Sequence, residues 1–242
     1  MVVAGPTCIL IDCGFAVRET ERRLRRIGLD AEAITAVAVT HEHSDHVSGA
    51  QAFSRRHGCP LWMTRGTWRA LGNARGPETE VRFLEAGQAI AIDDLELIPY
   101  PVPHDSCEPV QFVFSDGRRR LGLLTDAGSI TPHIEECLMS VDALILECNH
   151  DLALLRESRY PESLKQRISG AFGHLSNEQS AHLLGRLSGS GSRLQHVVAA
   201  HLSEINNHPE LARAALSGVM GCNAGWIDVA DQEAGLGWRE VT

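Results

Sequence analysis

The sequence has 242 residues, 43% of them hydrophobic, and a formal net charge of −9. That length suits one domain with a sizeable core, and the acidic balance argues against a broad non-specific footprint on nucleic acid, although local patches outweigh totals. No apolar run is long enough to span a bilayer, Met1 opens no signal-peptide pattern, and the cysteines form no CxxC pair. They read as free, mostly buried thiols of a cytoplasmic protein in a reducing compartment, in preference to a disulfide framework or a cysteine zinc site.

Cys8 to Asp12 reads as a short apolar strand ending in a carboxylate, with Gly14 beyond it. Glu19 to Ile27 has helical period. Its arginines, with Arg18, read as a solvated face paired to Glu19 and Glu21 more readily than as a phosphate-binding face. Ile34 to Val39 is a buried strand, and Val47 to His57 has helical spacing. Between them stands Thr40-His41-Glu42-His43-Ser44-Asp45-His46. A turn built for geometry would use Gly, Asn or Pro. Imidazoles and a carboxylate this close repel as cations and desolvate poorly unless a divalent metal sits among them. His41 and His43 alternate, so both can point at one centre. Asp45 and His46 start the next helix and point at a second centre nearby. Two metals roughly 4 Å apart are the usual arrangement for in-line attack on an ester or phosphodiester.

This HxHxDH motif after a strand resembles the metallo-β-lactamase-fold hydrolases. The resemblance implies an α/β protein, a four-layer αββα sandwich, here expected as a single domain over residues 1–242. It makes Asp12 the aspartate that braces the motif without binding metal. Members carry an additional first strand before this point, and Met1 to Pro6 reads as too short to supply it. Further strands are expected at Pro60 to Met63, Val81 to Leu84, Ala89 to Ile92 and Leu95 to Tyr100, with a helical turn over Arg65 to Leu71. Two prolines then stiffen the approach to His104, which fits the third motif and the last ligand of the first metal. Glyoxalase-type members carry Gly-His-Thr there, whereas this chain has His104-Asp105-Ser106, which weakens a thioesterase reading.

Gln111 to Phe114 and Leu121 to Thr125 read as a hairpin-like pair of strands across Asp116-Gly117, the second ending in Asp126, which fits the carboxylate that bridges the metals. Asp142 to Glu147 is another buried strand, followed by Cys148-Asn149-His150-Asp151. Tyr160 to Gly173 reads as a helix with Pro161 in its first turn and Gly173 at its end. His174-Leu175-Ser176-Asn177 opens a second helix capped by Ser176 or Asn177. Ribonuclease Z members have Gly-His-Ser-Thr at the place of His174, where the histidine aids phosphodiester cleavage. With the Glu147 to Asp151 run, the wording looks closest to the WalJ/YycJ-like branch. Ser188 to Ser192 is a short flexible turn and not a domain boundary. His196 to Ala200 is the last core strand of the site, and His201 after it fits the ligand that closes the second metal. Asn206, Asn207 and His208 before Pro209 read as the start of a helix that either lines the pocket or only caps, and Trp226 to Ala230 as an edge strand.

The resemblance thus implies two divalent ions, zinc, manganese or iron. His41, His43 and His104 would hold the first, Asp45, His46 and His201 the second, with Asp126 between them. His174 and Asp45 would take part in catalysis, and Asp12, Glu147, Asn149, Asn206, Asn207 and His208 would surround the site. It implies a nuclease acting on nucleic acid, DNA from a 5′ end, with no membrane partner and an open oligomeric state. The alternatives are an ester, thioester or lactone hydrolase on the same metals and a non-catalytic metal-stabilised binding protein. A flavodiiron-type redox role is disfavoured, because those members have Glu where His43 stands.

Overall fold

A computed structural model describes residues 1–72, 79–189 and 191–242 of the chain. Ser190, within the expected Ser188 to Ser192 turn, lies outside the described residues. The chain forms two compact units, Met1–Pro101 with Ser106–Gly117, and Val102–Asp105 with Arg118–Thr242. The strands belong to two sheets, and helices separate most of them, giving the α/β class expected.

In the first unit β1 (Val2–Ala4) runs antiparallel to β2 (Thr7–Ile11), turning through Gly5-Pro6. The opening residues hold a three-residue strand. The helix α1 (Val17–Arg26) leads to β3 (Ala36–Ala38), which lies parallel to β2 with Leu10 beside Val37. After α2 (Ser44–Val47) and α3 (Ala50–His57), β4 (Leu61–Thr64) adds on the far side of β3. Next, α4 (Arg65–Ala70) precedes β5 (Val81–Leu84), which pairs parallel with β4. Strands β6 (Ile90–Ile92), β7 (Leu95–Pro101) and β8 (Val110–Ser115) form an antiparallel meander.

Leu10, Leu24, Val37, Val39, Phe53, Leu61 and Met63 close one core beneath α1 and α3. The arginines of α1 stay outside it. Arg22 and Arg23 bond Glu19, and Arg56 of α3 bonds Glu21, as a solvated helix face should. The helix expected over Val47 to His57 is broken at Gly49. A Cβ there would lie 1.8 Å from the Phe15 carbonyl oxygen, so the chain must stay bare at that point.

In the second unit β9 (Arg120–Leu124), β10 (Ala143–Glu147), β11 (His196–Ala200) and β12 (Ile227–Val229) are all parallel. Their register sets Leu124 beside Leu146 and Glu147 beside Ala200, so three strands end at one edge. Both faces of β10 are covered, and its run of Ala, Leu and Ile is what a doubly covered parallel strand requires.

The connecting helices are α5 (Pro132–Leu138), α6 (Leu152–Glu157), α7 (Glu162–Ile168), α8 (Asn177–Leu187) and α9 (Pro209–Met220). Their starts follow local chemistry. Thr131 and Asp151 accept backbone N–H bonds, and Ser176 with Gln179 closes a capping box. The expected helix to Gly173 is shorter than read. It stops at Ile168, and the chain folds back so closely that a Cβ on Gly173 would sit 2.2 Å from the Arg167 and Ile168 carbonyl oxygens.

Candidate metal centre

The first unit positions four site residues at the end of β3. Asp12, just past β2, has left-handed backbone with φ 54°. That conformation aims its carboxylate across to β3, where Oδ1 accepts the Thr40 N–H at 2.8 Å and Oδ2 the Thr40 hydroxyl at 2.9 Å. His46 Nδ1 lies 2.8 Å from Asp12 Oδ2. A carboxylate only accepts, so Nδ1 carries the proton and the Nε2 of His46 the lone pair. The Thr40 hydroxyl has given its proton to Asp12, so His41 Nδ1, 3.0 Å from Thr40 Oγ1, donates as well. The rings converge, with centroids 4.6 Å apart for His41 and His43 and 4.2 Å for His41 and His46. His41 and His46 are buried, His43 is half-buried, and Asp45 is exposed with its carboxylate 3.3 Å from His46 Nε2. Gly14 keeps this turn tight, because a Cβ there would lie 1.8 Å from the Asp45 carbonyl oxygen.

The second unit gathers His104, Asp126, Glu147, His174 and His201. Asp126 and His201 follow β9 and β11 with φ 51° and 57°, again in the left-handed region. Side chains pay entropy and sterics to sit there, and such strain collects at functional sites. Glu147 ends β10 with no exposed surface. It accepts from His174 Nδ1 at 2.8 Å, His201 Nδ1 at 3.0 Å, the Ala127 N–H at 3.0 Å and the Leu175 N–H at 3.1 Å. Burial pushes its carboxyl upward, but the hydrogen bonds and charge of the two imidazoles outweigh that and hold it below the usual carboxylate range.

His104 Nδ1 donates to the Gly173 carbonyl at 3.0 Å. Its imidazole is held below its ordinary pKa chiefly by burial, against the opposing pull of Asp126. Around Asp126 Oδ1 stand His201 Nε2 at 3.5 Å, His174 Nδ1 at 3.7 Å and His104 Nε2 at 3.9 Å. Asp126, Glu147, His174 and His201 each offer an atom within 4.8 Å of the others'.

One pattern runs through both units. His41, His46, His104, His174 and His201 each hand Nδ1–H to an oxygen, which leaves the lone pair on Nε2. Metal-binding imidazoles are prepared in this way, and the nitrogen and oxygen donors suit zinc, manganese or iron. Glu147 has its lone pairs engaged by four donors, which fix the ring orientations of His174 and His201.

The other expected residues are placed as follows. Asn149 Nδ2 bonds the His201 carbonyl at 3.1 Å and so fixes the strand end. Asn207 is buried, bonding the Cys148 carbonyl at 2.7 Å and Asn177 at 2.9 Å, and Asn206 bonds Ser203. His208 is exposed ahead of Pro209. His150, passed over in the sequence, is fully buried, and burial holds its imidazole below the ordinary value. Its place in the Glu147 to Asp151 run was the only signal for it.

Residues 7–197 match the family described as "Beta-lactamase superfamily domain". The chain is 33% identical over 214 residues to the exodeoxyribonuclease YycJ of Bacillus anthracis, covering 88% of this chain and 80% of that one. It is 31% identical over 212 residues to the exodeoxyribonuclease WalJ of Streptococcus pneumoniae, covering 86% and 78%. Among solved structures, the metallo-β-lactamase-fold protein YhfI of Bacillus subtilis superimposes with a TM-score of 0.73 at 17% identity, over 98% of this chain and 88% of that one. With the fold, the motif and these matches in agreement, the chain belongs to the β-lactamase superfamily and has the metallo-β-lactamase fold.

Proposed function

We propose that this chain is a dinuclear-metal phosphodiesterase that cleaves DNA as an exonuclease. The proposed ligands are His41, His43 and His104 for one ion, Asp45, His46 and His201 for the other, and Asp126 for both. The observation that carries the reading is Glu147, one buried carboxylate that holds both His201 and His174 by Nδ1. The same acceptor thereby orients a metal ligand and a second imidazole placed beside Asp126. Similarity to two exodeoxyribonucleases over most of the chain supports DNA as the substrate.

When bound, divalent ions supply Lewis acidity toward water and the phosphoryl oxygens. The protein does the rest. Asp12 and Thr40 hold His41 and His46 in one tautomer, and Gly173 and Glu147 do so for His104 and His201. With Nδ1–H anchored on Glu147, His174 would first take up a second proton at Nε2, then pass that proton to the departing sugar oxygen and regain its lone pair there. The test is a hydrolysis panel on metal-loaded protein, with single- and double-stranded DNA and RNA of defined ends, a nitrophenyl phosphodiester, a thioester and a lactone. Phosphodiesters should be turned over, DNA best. Faster turnover of the thioester or lactone than of any phosphodiester would replace this reading with a carboxylic-ester hydrolase.

A further inference from the structure

We infer that Phe172 is a stacking platform for an unpaired nucleobase next to the bond being cut, a role that rests on the phosphodiesterase reading above. Phe172 is 63% exposed, the most exposed of the large apolar side chains among the described residues. Exposure of this kind usually goes with a mobile tip, but here the backbone is tied at every residue. The Ala171 carbonyl accepts from Ser129 Oγ at 3.1 Å, that of Phe172 from the Asp105 N–H at 3.0 Å, and that of Gly173 from His104 Nδ1 at 3.0 Å. The Gly173 and His174 N–H groups bond back to Gly170 and Ile168 at 2.9 and 2.8 Å. The segment also lies flat on Gly128, where a Cβ would come within 2.3 Å of the Gly173 nitrogen and 2.5 Å of the Phe172 nitrogen. A ring on so fixed a backbone loses little conformational entropy when something packs on it.

The surroundings indicate what that something is. Around Phe172 the loop neighbours Gly170, Ala171 and Gly173 are small, so the loop adds no second large apolar side chain beside the ring. Beside it Arg167 pairs with Asp105 at 2.6 Å, a polar flank suited to a nucleotide backbone. Phe172 stands two residues from His174, so their backbones are at most about 7 Å apart, within reach of adjacent nucleotides. Every base has a π-face, so stacking there would tolerate any sequence but would require the base to be unpaired. The platform therefore selects single-stranded ends.

The test compares wild type with the Phe172→Ala, Phe172→Leu and Phe172→Trp variants on fluorescein-labelled single-stranded oligodeoxynucleotides. One set is intact and another lacks a base at each of the first three positions in turn. Anisotropy gives binding, and gel analysis gives kcat and KM. Phe172→Ala should weaken binding and raise KM on intact strands on the order of 10–100-fold, with kcat and metal content little changed. Leu should behave like Ala, and Trp should restore wild-type values. At one position, removing the base should cost wild type as much as Phe172→Ala costs it, and cost the Ala variant nothing further. Equal losses on intact and abasic strands, or no loss, would overturn the platform. Binding that depends on Phe172 without any cleavage would leave the platform standing and overturn the proposed reaction instead. Cleavage indifferent to Phe172 would do the reverse.

Discussion

Glu147 and His174 are where single side chains decide most. In Glu147→Gln the amide nitrogen must face donors. Either two N–H groups go unsatisfied, or His174 and His201 move their protons to Nε2 and His201 loses the lone pair proposed for the metal. Metal affinity in Glu147→Gln should fall about 10–100-fold in a chelator-competition titration, the usual loss for removing an orienting partner; unchanged affinity would contradict the tautomer assignment. His174→Ala should keep its metals and its melting temperature while kcat on DNA drops ~10²–10⁴-fold with KM little changed. The loss should shrink on a nitrophenyl phosphodiester, whose leaving group departs without a proton. Equal kcat loss on both substrates would point to a displaced metal site. The histidines themselves were legible in the sequence, because His41, His43 and His46 crowd one turn that no apolar core needs. Their Nδ1 partners were not. Asp12 is 28 residues from Thr40, and Gly173 is 69 from His104, and only folding brings them together.

Among the elements, each cluster depends on parallel strands that end at one edge of their own sheet. Asp12, Asp126 and His201 each follow a strand and each turn left-handed, which lifts their side chains off the pleat at the strand end. The strands were readable from apolar runs, and β5 and β11 fall where the pattern puts them. The left-handed turns were not, since Asp and His tolerate that conformation without advertising it. The connection after α7 was misread for a related reason. Gly173 looks like a helix stop, yet its bareness serves a close backbone approach, and the short α6 was hidden because one buried residue, Leu155, gives no period to detect. Gly128 makes the same point testable. Its Cβ in Gly128→Ala would meet backbone atoms that cannot swing aside, so the His104 and His174 segments must shift. We expect a cost of about 1–3 kcal/mol, read as a lower melting temperature, together with reduced metal affinity. A variant as stable and as well metallated as wild type would show that the segment gives way cheaply.

For the whole molecule, metal and fold should be linked. The proposed ligands at the strand ends would repel without a cation, so an ion that binds only the folded chain would stabilise it. At 100-fold excess over its dissociation constant that amounts to about 2.7 kcal/mol, or roughly 5–10 °C in melting temperature for a chain of this size. Calorimetry before and after chelation should show this drop and its recovery on adding metal back. A melting temperature indifferent to chelator would mean the histidine clusters do not hold ions in the folded state. Membership of the superfamily covers residues 7–197, and this was the most legible level of all, because one dense motif sets fold and chemistry together. Substrate choice was the least legible, since exposed residues such as Phe172, to which we assign it, are marked by no hydrophobic pattern.

The most direct measurement is metal content per chain, by elemental analysis of protein saturated with metal and freed of excess. Wild type should carry close to two ions, His41→Ala should lose occupancy at one position, and Asp126→Ala should lose it at both. A single ion in wild type, with both variants unchanged, would contradict the dinuclear centre on which the proposed chemistry depends.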